Sequence, residues 1–265
     1  MLLRMSVLSV DLAYRRWSDL GIAILSRPSS GNRQADSPIA CELISWDGSD
    51  LDQAPKAPVH PEILAGRLNH LANVRGIRVL LLDGPQAWKS SHNGLAHARL
   101  SERQLNTAAK TGLPGMVKPA TYRTFAEFCV DLYDALCRRG WKRLATQEQP
   151  GAGPERVLVE SYPHAAWRSL GIPALPSKRR ARVSDLAACF SALQTLIPLT
   201  VNHPPNHDQL QAIVGGLPGL ALEAQEPGGA RLVGEPPRRE EGHWREGFIV
   251  LPVPPRRTEN LHWLY

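Results

Sequence analysis

Three short runs crowded with apolar and β-branched residues open the chain, at 5–13 (MSVLSVDLA), 20–26 (LGIAILS) and 39–46 (IACELISW). Their lengths and brief connections predict an antiparallel meander. The rhythm then changes. From Pro61 to Asn73 the residues Ile63, Leu64, Leu68 and Leu71 fall along one face, the spacing of an amphipathic helix with Pro in its first turn. Gly76 closes it ahead of the most apolar run, 77–82 (IRVLLL), which ends in Asp83-Gly84-Pro85. So continuous a run predicts a central strand buried on both faces.

Residues 84–118 are polar and rich in Gly, Ser, Asn and Lys, and a stretch of that length predicts a functional or mobile loop. A clearer helix follows over 121–138, with Phe125, Phe128, Cys129, Leu132, Leu136 and Cys137 on one face and Glu127, Asp131 and Asp134 on the other. A Gly/Pro/Gln linker at 147–154 leads to a strand at 156–161 (RVLVES) and a short helix from Pro163 that ends before Gly171. Helical patterns return over 183–196 and from Asn206 or His207 onward, where Gly215, Gly216 and Pro218 predict a break or kink near Leu217. Segments 230–233 and 247–253 are candidates for a terminal hairpin or an added edge strand.

Three antiparallel strands, a helix and then buried strands alternating with helices are the order of a ribonuclease H-like α/β fold. Such a fold is a mixed sheet, antiparallel and then parallel, flanked by helices. We expect one such domain over 1–225, with 84–118 as a loop insertion, and a C-terminal β extension over 226–265 packed on the same domain.

Composition narrows the class. Apolar residues make up 43% and charged residues 21% of 265 residues, which supplies a core and excludes a fibrous or wholly disordered chain. The 31 Lys and Arg outnumber 25 Asp and Glu, a net charge of +6 that suits a polyanionic partner, most simply nucleic acid. Cys41, Cys129, Cys137 and Cys189 show no Cys-x-x-Cys spacing, so they read as reduced thiols of a cytoplasmic protein, not as zinc ligands. The opening apolar stretch is short and interrupted by Asp11, which argues against a signal peptide or a membrane span.

The candidate chemistry lies where acids interrupt apolar runs. Asp11 falls near the end of the first strand, Asp83 ends the central one, Glu160 ends the strand RVLVES, and Asp208 lies in the first turn of the last helix. Each alone has an ordinary role in a turn, an ion pair or a helix start. Together, on strands laid side by side, they would share one pocket. A buried carboxylate costs several kcal/mol, on the order quoted for unpaired charges, unless a cation compensates it. Mg²⁺ or Mn²⁺, hard ions that prefer oxygen, would do so, and a two-metal centre would hydrolyse a phosphodiester.

Several cations are candidate substrate contacts: Arg99, Arg103 and Lys110 after Asp83, and Lys178 and Arg182, which bound a cluster with Arg179 and Arg180. A solvated helix face is the ordinary alternative. His164 and His207 adjoin the acids and are candidates to move a proton or orient a water. Trp88, Tyr122 and Trp141 are candidates for base stacking or core packing.

These pieces resemble the predicted ribonuclease H-like nuclease family long catalogued as a domain of unknown function (number 429). The matching segments are SVDLA, LLLDGP, ARLSERQLNTAAKTGLPG, VESYPHAAWRSLG, the basic stretch from Lys178 to Arg182, HDQLQA and EGFIVLP. The resemblance implies a ribonuclease H-like core and a metal-dependent nuclease whose acids map onto Asp11, Asp83, Glu160 and Asp208. It also maps an arginine-and-acid segment onto Arg99, Glu102 and Arg103, and a Tyr-Pro-His onto Tyr162, Pro163 and His164. One departure stands out: Gln211 occupies a position where relatives often carry a second acid. The leading expectation is therefore a nuclease with a carboxylate-bound two-metal centre. The alternative is a weak or inactive scaffold that binds nucleic acid or a protein. Kinase-like relatives of the fold fit less well, because no Gly-rich phosphate loop is present.

Overall fold

In the computed structural model, residues 4–28, 38–46, 56–146 and 155–254 are described. The expected meander forms from β1 (Arg4–Asp11), β2 (Gly21–Pro28) and β3 (Ile39–Ile44), paired antiparallel in chain order. Helix α1 (Pro61–Arg75) ends on Gly76, whose left-handed φ of 63° closes the helix and turns the chain into β4 (Val79–Asp83). After the insertion, which carries the short helix α2 (Leu100–Gln104), come α3 (Arg123–Arg138), β5 (Trp141–Arg143) and β6 (Arg156–Ser161). The chain continues through α4 (Pro163–Ser169), α5 (Val183–Leu196), β7 (Leu199–Val201) and α6 (His207–Glu223). It closes with β8 (Ala230–Val233), β9 (Arg238–Glu240), β10 (His243–Arg245) and β11 (Ile249–Pro252). The expected linker at 147–154 and the end of the extension beyond 254 lie outside the described residues.

The main sheet runs β7-β3-β2-β1-β4-β6-β11-β8, with β5 also paired to β6. Within it β1 lies parallel to β4, and β4 parallel to β6. The block β3-β2-β1-β4-β6, antiparallel and then parallel, is the ribonuclease H-like arrangement, so the fold is the mixed α/β sheet that the element order predicts. The outer edge of β6 is shared: β5 pairs with its first half and β11 with its last residues. Segments 230–233 and 249–252 therefore pair with each other and also extend the main sheet.

Alternate residues of each strand feed two cores. Leu8, Val10, Leu80, Leu82 and Leu158 pack under α1 and α3. Val7, Leu25, Val79, Leu81, Val157 and Val159 pack under α4, α5 and α6.

Helix α6 corrects one expectation. It does not break near Leu217; it is continuous from His207 to Glu223 with Pro218 inside. Local propensity loses here to packing. A Cβ on Gly216 would lie 2.7 Å from Leu25 Cδ1 and 2.8 Å from Ser9 Cβ, so the missing side chain lets the helix lie flat on β1 and β2. Gly21 does the same for the helix start, since a Cβ there would fall 2.1 Å from the Asp208 carbonyl oxygen. Gly21→Ala is expected to push the first turn of α6 off the sheet and cost roughly 1–3 kcal/mol, the usual penalty for overpacking, read by urea unfolding.

The insertion is not a loose loop. Gln86, Lys89, Ser90, Arg99, Ser101, Glu102 and Thr111 are buried. Fully buried Glu246, just before β11, accepts hydrogen bonds from the Ser90 N–H (2.8 Å), the Leu100 N–H (2.8 Å) and Asn93 Nδ2 (2.6 Å). A polar segment becomes ordered because the C-terminal extension satisfies its backbone donors.

Candidate active site

Asp11 and Asp83 are register partners at the ends of adjacent parallel strands. Both follow positions, Val7 in β1 and Val79 and Leu81 in β4, whose side chains enter the α6 core. Period-two alternation therefore sends both carboxyls to the α6 face. Asp208, 6% exposed at the start of α6, reaches the same place because Gly21, the β2 partner of Asp11, admits the helix there.

The electrostatics are those of neighbouring acids. Burial, then the charges of Asp83 and Asp208, push the Asp11 carboxyl well above the usual carboxylate range, and it hydrogen-bonds to Asp83. Burial likewise raises Asp83, from 3.8 to about 7, helped by the Glu160 charge and opposed by the Asp11 hydrogen bond. Desolvation thus favours a proton held between the two carboxyls.

A raised acid pKa has a definite consequence for stability. The folded chain binds more protons than the unfolded one between 3.8 and about 7, so the favourable contribution of Asp83 is full below 3.8 and is lost as pH rises through 7. Metal-free protein should therefore lose stability between about pH 4 and about pH 7, by up to a few kcal/mol, on the order of 1.4 per pH unit. Asp83→Asn is expected to flatten that loss. Urea unfolding of both proteins across the range measures the difference.

Glu160 does not join the cluster. Its register partner in β4 is Leu82, not Asp83; the position beside Asp83 is Ser161. Leu82 and Leu158 point into the α1/α3 core, so Glu160 leaves the sheet on the opposite face from Asp11 and Asp83. There Arg99 Nη1 and Nη2 each donate to it at 2.7 Å, and the Gln86 N–H donates at 3.0 Å. This corrects the expected placement of Glu160 with the other acids: one step of strand register turns it away, and a buried arginine occupies both its oxygens.

Arg99 is corrected with it. Expected to reach phosphates, it is 1% exposed and bridges Glu160 to Glu102, whose carboxylate lies 3.1 Å from Arg99 Nε. Lys110 is likewise occupied, since its ammonium donates to the Glu102 carbonyl at 3.3 Å and to Thr107 Oγ1 at 3.1 Å. Lys178 also differs from expectation. It pairs with Asp19 at 2.9 Å and with Asp208, and its charge lowers the pKa of Asp11, so it serves as a counter-ion inside the acid cluster.

Arg103, His164 and Arg182 are exposed, as are Arg179 and Arg180, and among the described residues no ion pair occupies these side chains. His207 donates from or accepts at Nδ1 with Asp208 (3.1 Å) and binds the Pro176 carbonyl through Nε2 (2.9 Å), which fixes its ring beside the cluster. Gln211 accepts from Trp167 Nε1 at 2.8 Å, so this position is committed to the packing of α4 on α6. Trp88 and Trp141 are buried and unavailable for base stacking, while Tyr122 is partly buried beside Phe125.

A metal ion can be weighed against these donors. Among the described residues no group of three or more His, Cys, Asp or Glu is placed to hold one. The Asp11–Asp83 pair, two oxygen donors sharing a proton, does fit a single hard cation of the magnesium type, which takes one or two carboxylates and keeps several waters. The four-acid, two-ion centre does not fit as arranged, because Arg99 takes Glu160 and Lys178 takes Asp208. Among the described residues no helix is long and apolar enough to cross a membrane.

Sequence reasoning missed Arg168, Arg231 and the roles of Gln86, Glu102 and Glu246. Glu102, Glu246 and Arg168 fall within segments of the family resemblance (SERQ, EGFIVLP and VESYPHAAWRSLG), which gave them no structural role. No model of a known protein family matches the chain, and no curated protein matches it. Among solved structures it is similar to RuvC of Thermus thermophilus, at 11% identity and a TM-score of 0.38, over 88% of this chain and 99% of that one. It is also similar to T. thermophilus RuvC in complex with a Holliday junction substrate, at 9% identity and a TM-score of 0.34, over 84% and 96% of the two chains. The ribonuclease H-like assignment stands on the strand order and directions themselves.

Proposed function

We propose that the protein is a divalent-metal-dependent nuclease that hydrolyses phosphodiester bonds of nucleic acid. The observation that carries this reading is the Asp11–Asp83 pair, register partners at the ends of two central strands, both with carboxyl pKa values raised by burial. Asp11 and Asp83 would hold one Mg²⁺ or Mn²⁺ in place of their shared proton. When bound, that ion lowers the pKa of a water and screens charge on the phosphate. Asp208, held by Lys178 and His207, would accept a proton from water. Lys178 limits the repulsion between three acids and an incoming phosphate. The exposed cations Arg103, Arg179, Arg180 and Arg182, with the net charge of +6, supply the attraction for a polyanion.

The motif resemblance to the ribonuclease H-like nuclease family supports the same assignment of Asp11, Asp83 and Asp208. In this reading Glu160 is a positioning residue. It anchors the insertion through Arg99 and adds its charge at Asp83.

A second reading has a specific observation in its favour. Lys178 forms a salt bridge with Asp208, and Gln211, committed to Trp167, adds no carboxylate, which suits a scaffold that grips nucleic acid without cutting. Measuring binding and cleavage together on single- and double-stranded DNA and RNA separates the two. The nuclease reading expects products with Mn²⁺ or Mg²⁺ and none with a chelator. Salt-sensitive binding with no metal-dependent product overturns it in favour of the scaffold.

A further inference from the structure

A cleft of about 460 Å³ lies between α4, the end of α2 and the last strands of the sheet. We propose that it holds one nucleotide of a single-stranded substrate, next to the bond that the carboxylates face, an inference that rests on the nuclease reading. Its placement follows from β6. Tyr162 lines the cleft and comes directly after Ser161, the register partner of Asp83, so the cleft lies past the end of the strand next to the one that carries Asp83.

The charge of the cleft selects the ligand. Arg168 enters from α4 and Arg231 from β8; both are exposed, and among the described residues neither has an ion pair. The lining includes no Asp or Glu. Two guanidiniums facing one cleft without a counter-ion match a phosphate, which arginine binds in bidentate fashion. The remaining walls match a base. Tyr162 and His164 stand with ring centroids 6.0 Å apart and planes 46° apart, and Leu105 and Leu251 add apolar surface. The volume falls in the range of small-molecule sites, roughly 300–1,000 Å³. A base can enter only if it is unstacked, which points to a single strand.

The test uses the full chain carrying Asp11→Asn, in chelator, so that nothing is cut. Binding of a fluorescent single-stranded oligonucleotide of about 12 nucleotides is read by anisotropy, with Arg168→Ala, Arg231→Ala and the pair compared at matched thermal stability. Each substitution is expected to weaken binding about tenfold at low salt and to lower the slope of log affinity against log salt by about 0.7. A nucleoside monophosphate is expected to compete where inorganic phosphate at the same concentration does not. Binding within twofold of the parent, or equal competition by inorganic phosphate, overturns the proposal. Because binding is read without metal, absence of nuclease activity in the unsubstituted protein counts against the nuclease reading alone and leaves these outcomes readable.

Discussion

Asp11→Asn is expected to reduce metal-dependent cleavage by roughly three orders of magnitude, about 4 kcal/mol of transition-state stabilisation, while the protein stays folded. The asparagine keeps the shape of the side chain and can still hydrogen-bond to Asp83. It removes the carboxylate that would hold a cation and the buried acid whose pKa desolvation raises. Two readouts must therefore move in opposite directions. Cleavage falls, yet metal-free protein near neutral pH becomes more stable, because an amide at this position, unlike the buried carboxyl, need not take up a proton on folding. Isothermal titration adds a third readout, since the uptake of Mn²⁺ by the parent should vanish in the variant. A variant that cuts at the parental rate, or a parent that takes up no Mn²⁺, removes Asp11 from the active centre.

Arg99→Ala should be the most destabilising substitution that leaves the three clustered acids intact. It strands Glu160, 4% exposed, and Glu102, 3% exposed, without the cation that both share. Breaking a buried pair from one side costs about 3–5 kcal/mol, because the abandoned charge stays buried. The same variant unties the insertion, since Glu102 also receives the Arg99 and Thr111 N–H groups. A cycle isolates the cause. Glu160→Gln alone should cost less, and added to Arg99→Ala it should recover part of the loss, because a neutral amide tolerates the site better than a lone carboxylate. Urea unfolding of the four proteins reads the coupling. A double variant no more stable than Arg99→Ala would place the loss in packing and not in charge.

Much of this architecture was legible in the linear pattern. Helix α5 and strand β6 fall where the pattern predicts them, and β1, β2 and β4 do so within about two residues, the usual uncertainty of element ends. The short strands β5 and β7 and the β9–β10 hairpin were not, because three residues carry too little alternation to stand out. The Gly-Gly-Leu-Pro-Gly run misled in the opposite way. Read locally it ends a helix; in the fold the absent side chains are what let α6 rest on β1 and β2.

The site divides along the same line. That three acids fall at strand ends and a fourth opens a helix is a property of the chain alone, because a run of apolar residues that ends in a charged one marks where a strand leaves the core. Which of them meet depends on contacts between residues far apart in sequence. Leu82, not Asp83, pairs with Glu160, and that one-residue step sends Glu160 to the other face, where Arg99 takes it. Lys178 was visible only as one charge in a basic cluster until the descent of α6 beside Gly21 set Asp208 within its reach. Hydrophobic periodicity thus determined the layers and the strand ends, since burial acts residue by residue. Strand register and helix approach decided the chemistry, since both are set by pairing across the sheet, which no local pattern records.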